Sequence, residues 1–186
     1  MAVQLQRRLL TVEDYHLLIR AGSLGEDDRL ELIEGEIIEM SPISPEHAAR
    51  VKRLNRLFAH LLGKRALISV QDPIQLHAHS EPQPDLALLR LRDDDYAESH
   101  PGPNDVLLVV EVAETSASYD RDVKMPLYAR AGIPEAWLVS LADQWIEVHQ
   151  EPSPAGYLSM RKALPGSSVA PQALPDAALA VSEILG

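Results

Sequence analysis

Three residues have types and settings suited to hydrolytic chemistry: Asp85, Glu111 and Lys124. Asp85 follows Pro84 at the entrance to a short apolar run, and Glu111 is the lone acid in VLLVVEVA (106–113). A carboxylate inside a sheet is costly unless it is paired or bound to a cation, because it loses its hydration. Glu111 therefore needs a partner, whereas Asp93, Asp94 and Asp95 in the polar run RDDDYAESHPGPND (92–105) need none. Two carboxylates on adjacent strands can hold a hard divalent cation and leave positions for water and a phosphate oxygen. Such a cation lowers the pKa of the attacking water and neutralises charge that develops at phosphorus. An ammonium on the next helix, here Lys124, can orient that water or stabilise the charge. Each residue also has a plainer reading. Gln-Pro-Asp is good turn chemistry, Glu111 could pair with Arg90 or Arg121, and Lys124 could be an i,i+4 partner of Asp120 worth some tenths of a kcal/mol.

The flanking elements must place these side chains together. Thr-Val-Glu-Asp from Thr11 supplies a helix N-cap with acids in its first turn, and Gly22 ends that helix. RLELIEGEIIEM (29–40) alternates apolar and charged residues about Glu34-Gly35, the pattern of a β-hairpin with one buried face. Ser44-Pro45-Glu46 opens a long helix to about Lys64, with Val51, Leu54, Phe58 and Leu61 on its core side. Its other side carries Arg50, Lys52, Arg53 and Arg56, a basic stripe that suits either solvent or DNA.

Residues 66–77 read as a strand and 86–91 as a short apolar one. Val106–Ala113 is nearly all aliphatic, as in a central strand covered on both faces. Ser116 or Ser118 can cap a following helix up to Gly132, with Pro126 inside it predicting a kink or a late start. Glu135–Ser140 is another strand, and 144–150 with 156–163 makes a final hairpin. The apolar ALAVSEIL near the end predicts an edge strand or a short docked helix. The order gives a mixed sheet with helices packed on it.

At 186 residues the chain has the length of one domain, 1–186, able to bury a sizeable core. No apolar run approaches the roughly 20 residues needed to span a bilayer. The opening MAVQLQRRLLTVEDY lacks the long apolar stretch of a signal peptide, so the cytoplasm is the expected compartment. With no cysteine, any metal is held by oxygen or imidazole, which favours Mg²⁺ or Mn²⁺ over structural zinc. His77 and His79 alternate as a zinc pair could, but no third ligand is evident in sequence and both read as surface. The net charge is −11; residues 85–186 hold 7 basic against 16 acidic side chains. That balance counts against tight, sequence-independent DNA binding by a monomer.

The ordered segments ELIEGEIIEMSPISPEH (31–47), QPDLALL (83–89) and VLLVVEVAETSASYDRDVKMPLYARAGIPEAWLVS (106–140) resemble the Uma-type restriction endonucleases of the PD-(D/E)XK nuclease superfamily. The resemblance implies an α/β, restriction-endonuclease-like mixed sheet flanked by helices, with extra N-terminal and C-terminal hairpins. It implies that Asp85 and Glu111 bind Mg²⁺ or Mn²⁺ with help from the main-chain carbonyl of Val112. It further implies an acid from the N-terminal part of the core, a position Glu34 fits, with His47 nearby as an accessory. The superfamily pattern wants lysine two residues after the glutamate, where this chain has Ala113; Lys124 matches an amine supplied from the next helix.

The expected function is therefore endonucleolytic cleavage of nucleic acid, DNA above all, with Arg50, Arg53 and Arg56 as DNA-contacting residues. A homodimer or higher homo-oligomer is attractive, since cutting two strands takes two sites. Two alternatives stay open: a catalytically inactive nuclease-fold module for nucleic-acid binding or assembly, and a hydrolase of a small phosphodiester. The missing lysine and the acidic balance favour the first of these, and net charge suits the second.

Overall fold

The computed structural model describes residues 8–25 and 28–186; the stretch 1–7 of the N-terminal run read above lies outside them. Helix α1, Val12–Arg20, starts at Thr11, whose hydroxyl accepts the Asp14 N–H while the Asp14 carboxylate accepts the Thr11 N–H. That reciprocal pair satisfies two donors a helix start otherwise leaves free. Strands β1, Leu30–Ile33, and β2, Glu36–Glu39, form the expected hairpin. Glu34 and Gly35 make its turn with φ of 49° and 82°, the two positive values of a two-residue hairpin loop. A Cβ on Gly35 would stand 2.5 Å from that of Leu9, so glycine is required there.

Helix α2, Pro45–Leu62, is capped by Ser44 and buries Val51, Leu54, Phe58 and Leu62. The central sheet has six strands in sequence order: β3 Leu67–Ser69, β4 Leu86–Leu89, β5 Val106–Ala113, β6 Glu135–Ser140, β7 Trp145–Ser153 and β8 Gly156–Ala163. Neighbours run antiparallel except β5 and β6, which are parallel. A parallel pair needs a crossover, and here it carries α3 Ala117–Tyr119, a π-helical turn Asp120–Lys124, and α4 Met125–Arg130.

All eight residues of β5 are buried, in keeping with a strand covered on both faces. Val110 and Val112 join Leu86, Leu88 and Trp137 in the layer under α2 and the C-terminal helix α5, Val181–Leu185. Val109 and Ala113 join Ala87, Leu138 and the α4 residues Met125, Leu127 and Tyr128 on the other side. Glu111 shares the alternation of Val109 and Ala113, so its side chain enters the α4 layer. The tail forms both expected elements: a two-residue strand β10, Leu179–Ala180, paired with β9, Ser168–Val169, and then α5.

Two expectations need correction. The strand expected over 66–77 ends at Ser69. Gln71 adopts φ 58°, the Ser69 hydroxyl donates to the Asp72 carboxylate, and Pro73 has no N–H to give a ladder. The chain then makes only a bridge between His77 and Ser80. Around Pro126 there is neither a simple kink nor a late start. The helix begins at Ala117 and widens ahead of the proline, where the Met125 N–H reaches the Asp120 carbonyl five residues back. Such single wide turns recur at functional sites.

Candidate active site

The β4–β5 register pairs Leu88 with Leu108 and Leu86 with Val110. One further step sets Asp85 opposite Glu111, a relation that brings Cβ atoms to about 5 Å. Asp85 lies just beyond β4, and its carboxylate continues the ladder: the Val112 N–H donates to its Oδ2 at 2.8 Å. An extended residue directs its N–H and C=O to one edge, so the Val112 carbonyl faces Asp85 as well. His47 Nε2 lies 3.0 Å from the same Oδ2, and the Gln71 amide donates to Oδ1 at 3.2 Å. The hydrogen bond to Asp85 raises the His47 pKa against the opposing effect of burial. The imidazole therefore donates through Nε2–H; its buried Nδ1 has no partner.

Glu111 is held by two donors. The Tyr128 hydroxyl lies 2.5 Å and the Lys124 ammonium 3.3 Å from its Oε1. Burial pushes Glu111 up to about 8, although Lys124 and Tyr128 both pull it down. Lys124 Nζ is also 3.2 Å from Glu31, and both side chains are almost fully enclosed. Burial alone would lower the lysine pKa, but Glu111, Glu31 and Asp120 together hold it above its usual value. The amine is thus an ammonium at neutral pH, able to donate and attract but not to accept a proton. Burial also raises Asp120, which accepts the Ser116 hydroxyl at 2.6 Å.

Glu31, His47, Asp85, Glu111, Asp120 and Lys124 line a cleft of about 370 Å³ between the segment after β2, the start of α2, and residues 114–124. The Tyr119 hydroxyl is buried at its wall with no hydrogen-bond partner. Glu31, Asp85, Glu111 and Asp120 face a single buried ammonium and one imidazole. That surplus of desolvated carboxylate fits a divalent cation, and an all-oxygen donor set fits Mg²⁺ or Mn²⁺ better than zinc.

The structure thus brings Asp85, Glu111, Val112, Lys124 and His47 into one place. It leaves Glu34 elsewhere: that carboxylate is exposed on the hairpin turn and pairs with Arg130 at 2.6 Å. Glu31 occupies the place expected for an N-terminal acid. Glu31 lies on the charged side of the β1 alternation, yet it is buried because the hairpin has the cleft behind it. Lys124 meets Glu111 and Glu31 among the ion pairs of the described residues, and Arg121 pairs with Glu147 rather than Glu111. Arg50 and Arg53 lie half-buried, close against Gly186 at the end of α5, whereas Arg56 is exposed. None of the three lines the cleft. Tyr128 carried no sequence signal beyond its helix position, and a partner for Glu111 was the one clue to it.

A family comparison matches residues 12–182 to the model of the Uma2 family, described as a putative restriction endonuclease. The chain belongs to the Uma2 family. Among solved structures it is similar to a crystal structure of a putative nuclease belonging to DUF820 from Anabaena variabilis ATCC 29413. That likeness has a TM-score of 0.75 at 14% sequence identity and covers 95% of this chain and 97% of the other. At that identity it speaks for the fold, the nuclease-like mixed sheet that carries the Uma2 cleft. Among curated proteins, none matches the sequence. No helix of the described residues is long and apolar enough to cross a membrane.

Proposed function

We propose that this Uma2-family chain is a Mg²⁺- or Mn²⁺-dependent endonuclease that hydrolyses phosphodiester bonds of nucleic acid, DNA foremost, in the cytoplasm. The observation that carries the reading is the meeting of Asp85, Glu111 and the Lys124 ammonium in one cleft. Asp85, Glu111 and the Val112 carbonyl would hold the cation, which when bound activates water and offsets charge on the phosphate.

The chain's own residues do the rest. His47 donates to Asp85 and fixes the orientation of its carboxylate, as a partner behind a metal ligand commonly does. Lys124 places two of its protons toward Glu31 and Glu111, and its third is free for a phosphate oxygen. This amine takes the part that lysine plays in superfamily members and that Ala113 cannot. The enclosed setting strengthens each of these interactions relative to water. A homodimer would supply the second site for two-strand cleavage and set two basic helix faces side by side against the acidic charge.

One observation favours the alternative of an inactive nucleic-acid-binding module: both Asp85 oxygens already accept hydrogen bonds from within the chain. The two readings part in one experiment. Plasmid and single-stranded DNA are incubated with Mn²⁺ at low salt and the wild type, Asp85→Ala or Lys124→Ala. Cleavage by the wild type that both substitutions abolish supports the nuclease. Intact DNA with the wild type, or equal cleavage by all three, rejects it.

A further inference from the structure

Among the described residues outside the cleft, one cluster combines metal-ligating chemistry with a buried group that lacks a partner. His16, Glu81 and His100 each offer a ligand atom, and these atoms all lie within 4.8 Å of one another. His16 Nε2 is 2.7 Å from Glu81 Oε1, and the His100 ring stands edge-on to His16 with centroids 6.3 Å apart. Glu81 is only 3% exposed, and its other oxygen, Oε2, is buried with no hydrogen-bond partner. A buried carboxylate oxygen without a donor is costly. An ordinary His16–Glu81 pair leaves that cost standing and gives His100 no part.

We propose that His16, Glu81 and His100 form a second cation site, for Zn²⁺ or a similar imidazole-seeking divalent ion. Two imidazoles and a carboxylate are a recognised zinc donor set with a fourth position for water, whereas Mg²⁺ avoids nitrogen ligands. The framework is set in advance. His16 stands in the middle of the capped helix α1, and the Glu81 backbone exchanges hydrogen bonds with Leu32 of β1 at 2.8 and 3.4 Å. His100 lies exposed on the loop between β4 and β5, which gives the ion a route in from solvent.

None of the three residues lines the catalytic cleft, so the site is separate from it. The ion would clip together helix α1, the segment leading to Asp85 and the 92–105 loop, adding to the backbone hydrogen bonds from Val12 N–H to Ala78 and from Gln75 N–H to Pro101. By anchoring the Glu81 segment, whose backbone pairs with Leu32, the ion would tighten the support of β1, the strand that carries Glu31 into the cleft.

The test uses the full chain with Zn²⁺ alone as the probe, after removal of bound metal, and with Mg²⁺ in excess throughout. Calorimetric titration of the wild type is compared with His100→Ala, His16→Ala, His77→Ala and Asp85→Asn, and the zinc-loaded wild type is examined by X-ray absorption. The expected result is one zinc held by two imidazoles and oxygen, with affinity lowered at least about tenfold in His100→Ala and His16→Ala. His77→Ala and Asp85→Asn should bind this zinc as the wild type does, and zinc should raise the melting temperature of the wild type but not of His100→Ala. Because His100 is exposed, its removal leaves the fold intact. The proposal is overturned if wild type takes up no zinc, if His100→Ala binds it equally well, or if the zinc is lost with His77 or Asp85 instead.

Discussion

Nζ of Lys124 stands 3.3 Å from Oε1 of Glu111, although one side chain comes from a helix and the other from a strand. The wide turn Asp120–Lys124 makes this possible by shifting the helix face just before Pro126. The lysine thereby enters the α4 layer of the sheet instead of completing a surface pair with Asp120.

Lys124→Met should lower the rate of DNA cleavage by about 10²–10³-fold, the usual loss of a buried electrostatic donor. Lys124→Arg should not rescue it, because a planar guanidinium cannot replace a compact ammonium between two carboxylates. Mn²⁺ uptake measured alongside separates chemistry from metal loss. Full activity in Lys124→Met would remove the lysine from the mechanism.

Glu31→Gln and Glu34→Gln should differ sharply. Glu31 is buried against Lys124, while Glu34 is exposed and pairs with Arg130 in water. Neutralising Glu31 should weaken Mn²⁺ binding and cleavage by an order of magnitude or more, as loss of a supporting group at a metal site does. Neutralising Glu34 should change stability by less than about 1 kcal/mol and leave cleavage alone. Equal effects in both assays would contradict the placement of Glu31 in the cleft.

Much of this arrangement is legible in the sequence, and the exceptions have physical causes. Strand β5 announces itself because its β-branched and aliphatic run VLLVVEVA suits a strand covered on both faces, and Glu111 is conspicuous inside it. Asp85 and Glu111 can be paired only through the β4–β5 register, which no single run of residues encodes. Glu31 is hidden because alternation distinguishes two faces of a strand but not whether the polar face meets water or a cleft. The wide turn at Asp120–Lys124 is likewise invisible: Pro126 signals disruption, but packing against β5 decides which kind. Nothing in the local pattern links His16 to Glu81 and His100, which lie far apart along the chain.

The metal-free protein should become less stable as pH rises from about 4.5 to about 8. Glu111 keeps its proton in the folded state up to about 8, whereas its ordinary value is 4.5. Between those values the folded state binds more protons than the unfolded one, so stability falls with pH by at most about 1.4 kcal/mol per unit. His47, also raised when folded, adds a loss in the same direction as pH climbs past 6.5. Glu111→Gln should flatten the slope over this window. Urea unfolding at several pH values reads it directly, and an unchanged slope in the variant would assign the effect to other groups.

Tyr128→Phe should act on metal binding through proton competition. The Tyr128 hydroxyl donates to Glu111 at 2.5 Å and helps draw its pKa down. Without that donor the Glu111 pKa should climb further above 8, so a larger fraction stays protonated near neutrality. A cation must displace that proton, and each further pH unit of upward shift costs about tenfold in apparent affinity below the pKa. Mn²⁺ titration should therefore show a marked loss at pH 7 that shrinks at pH 9, where Glu111 is largely ionised in the wild type. A loss of equal size at both pH values would mean that Tyr128 shapes the cleft sterically and does not tune the carboxylate.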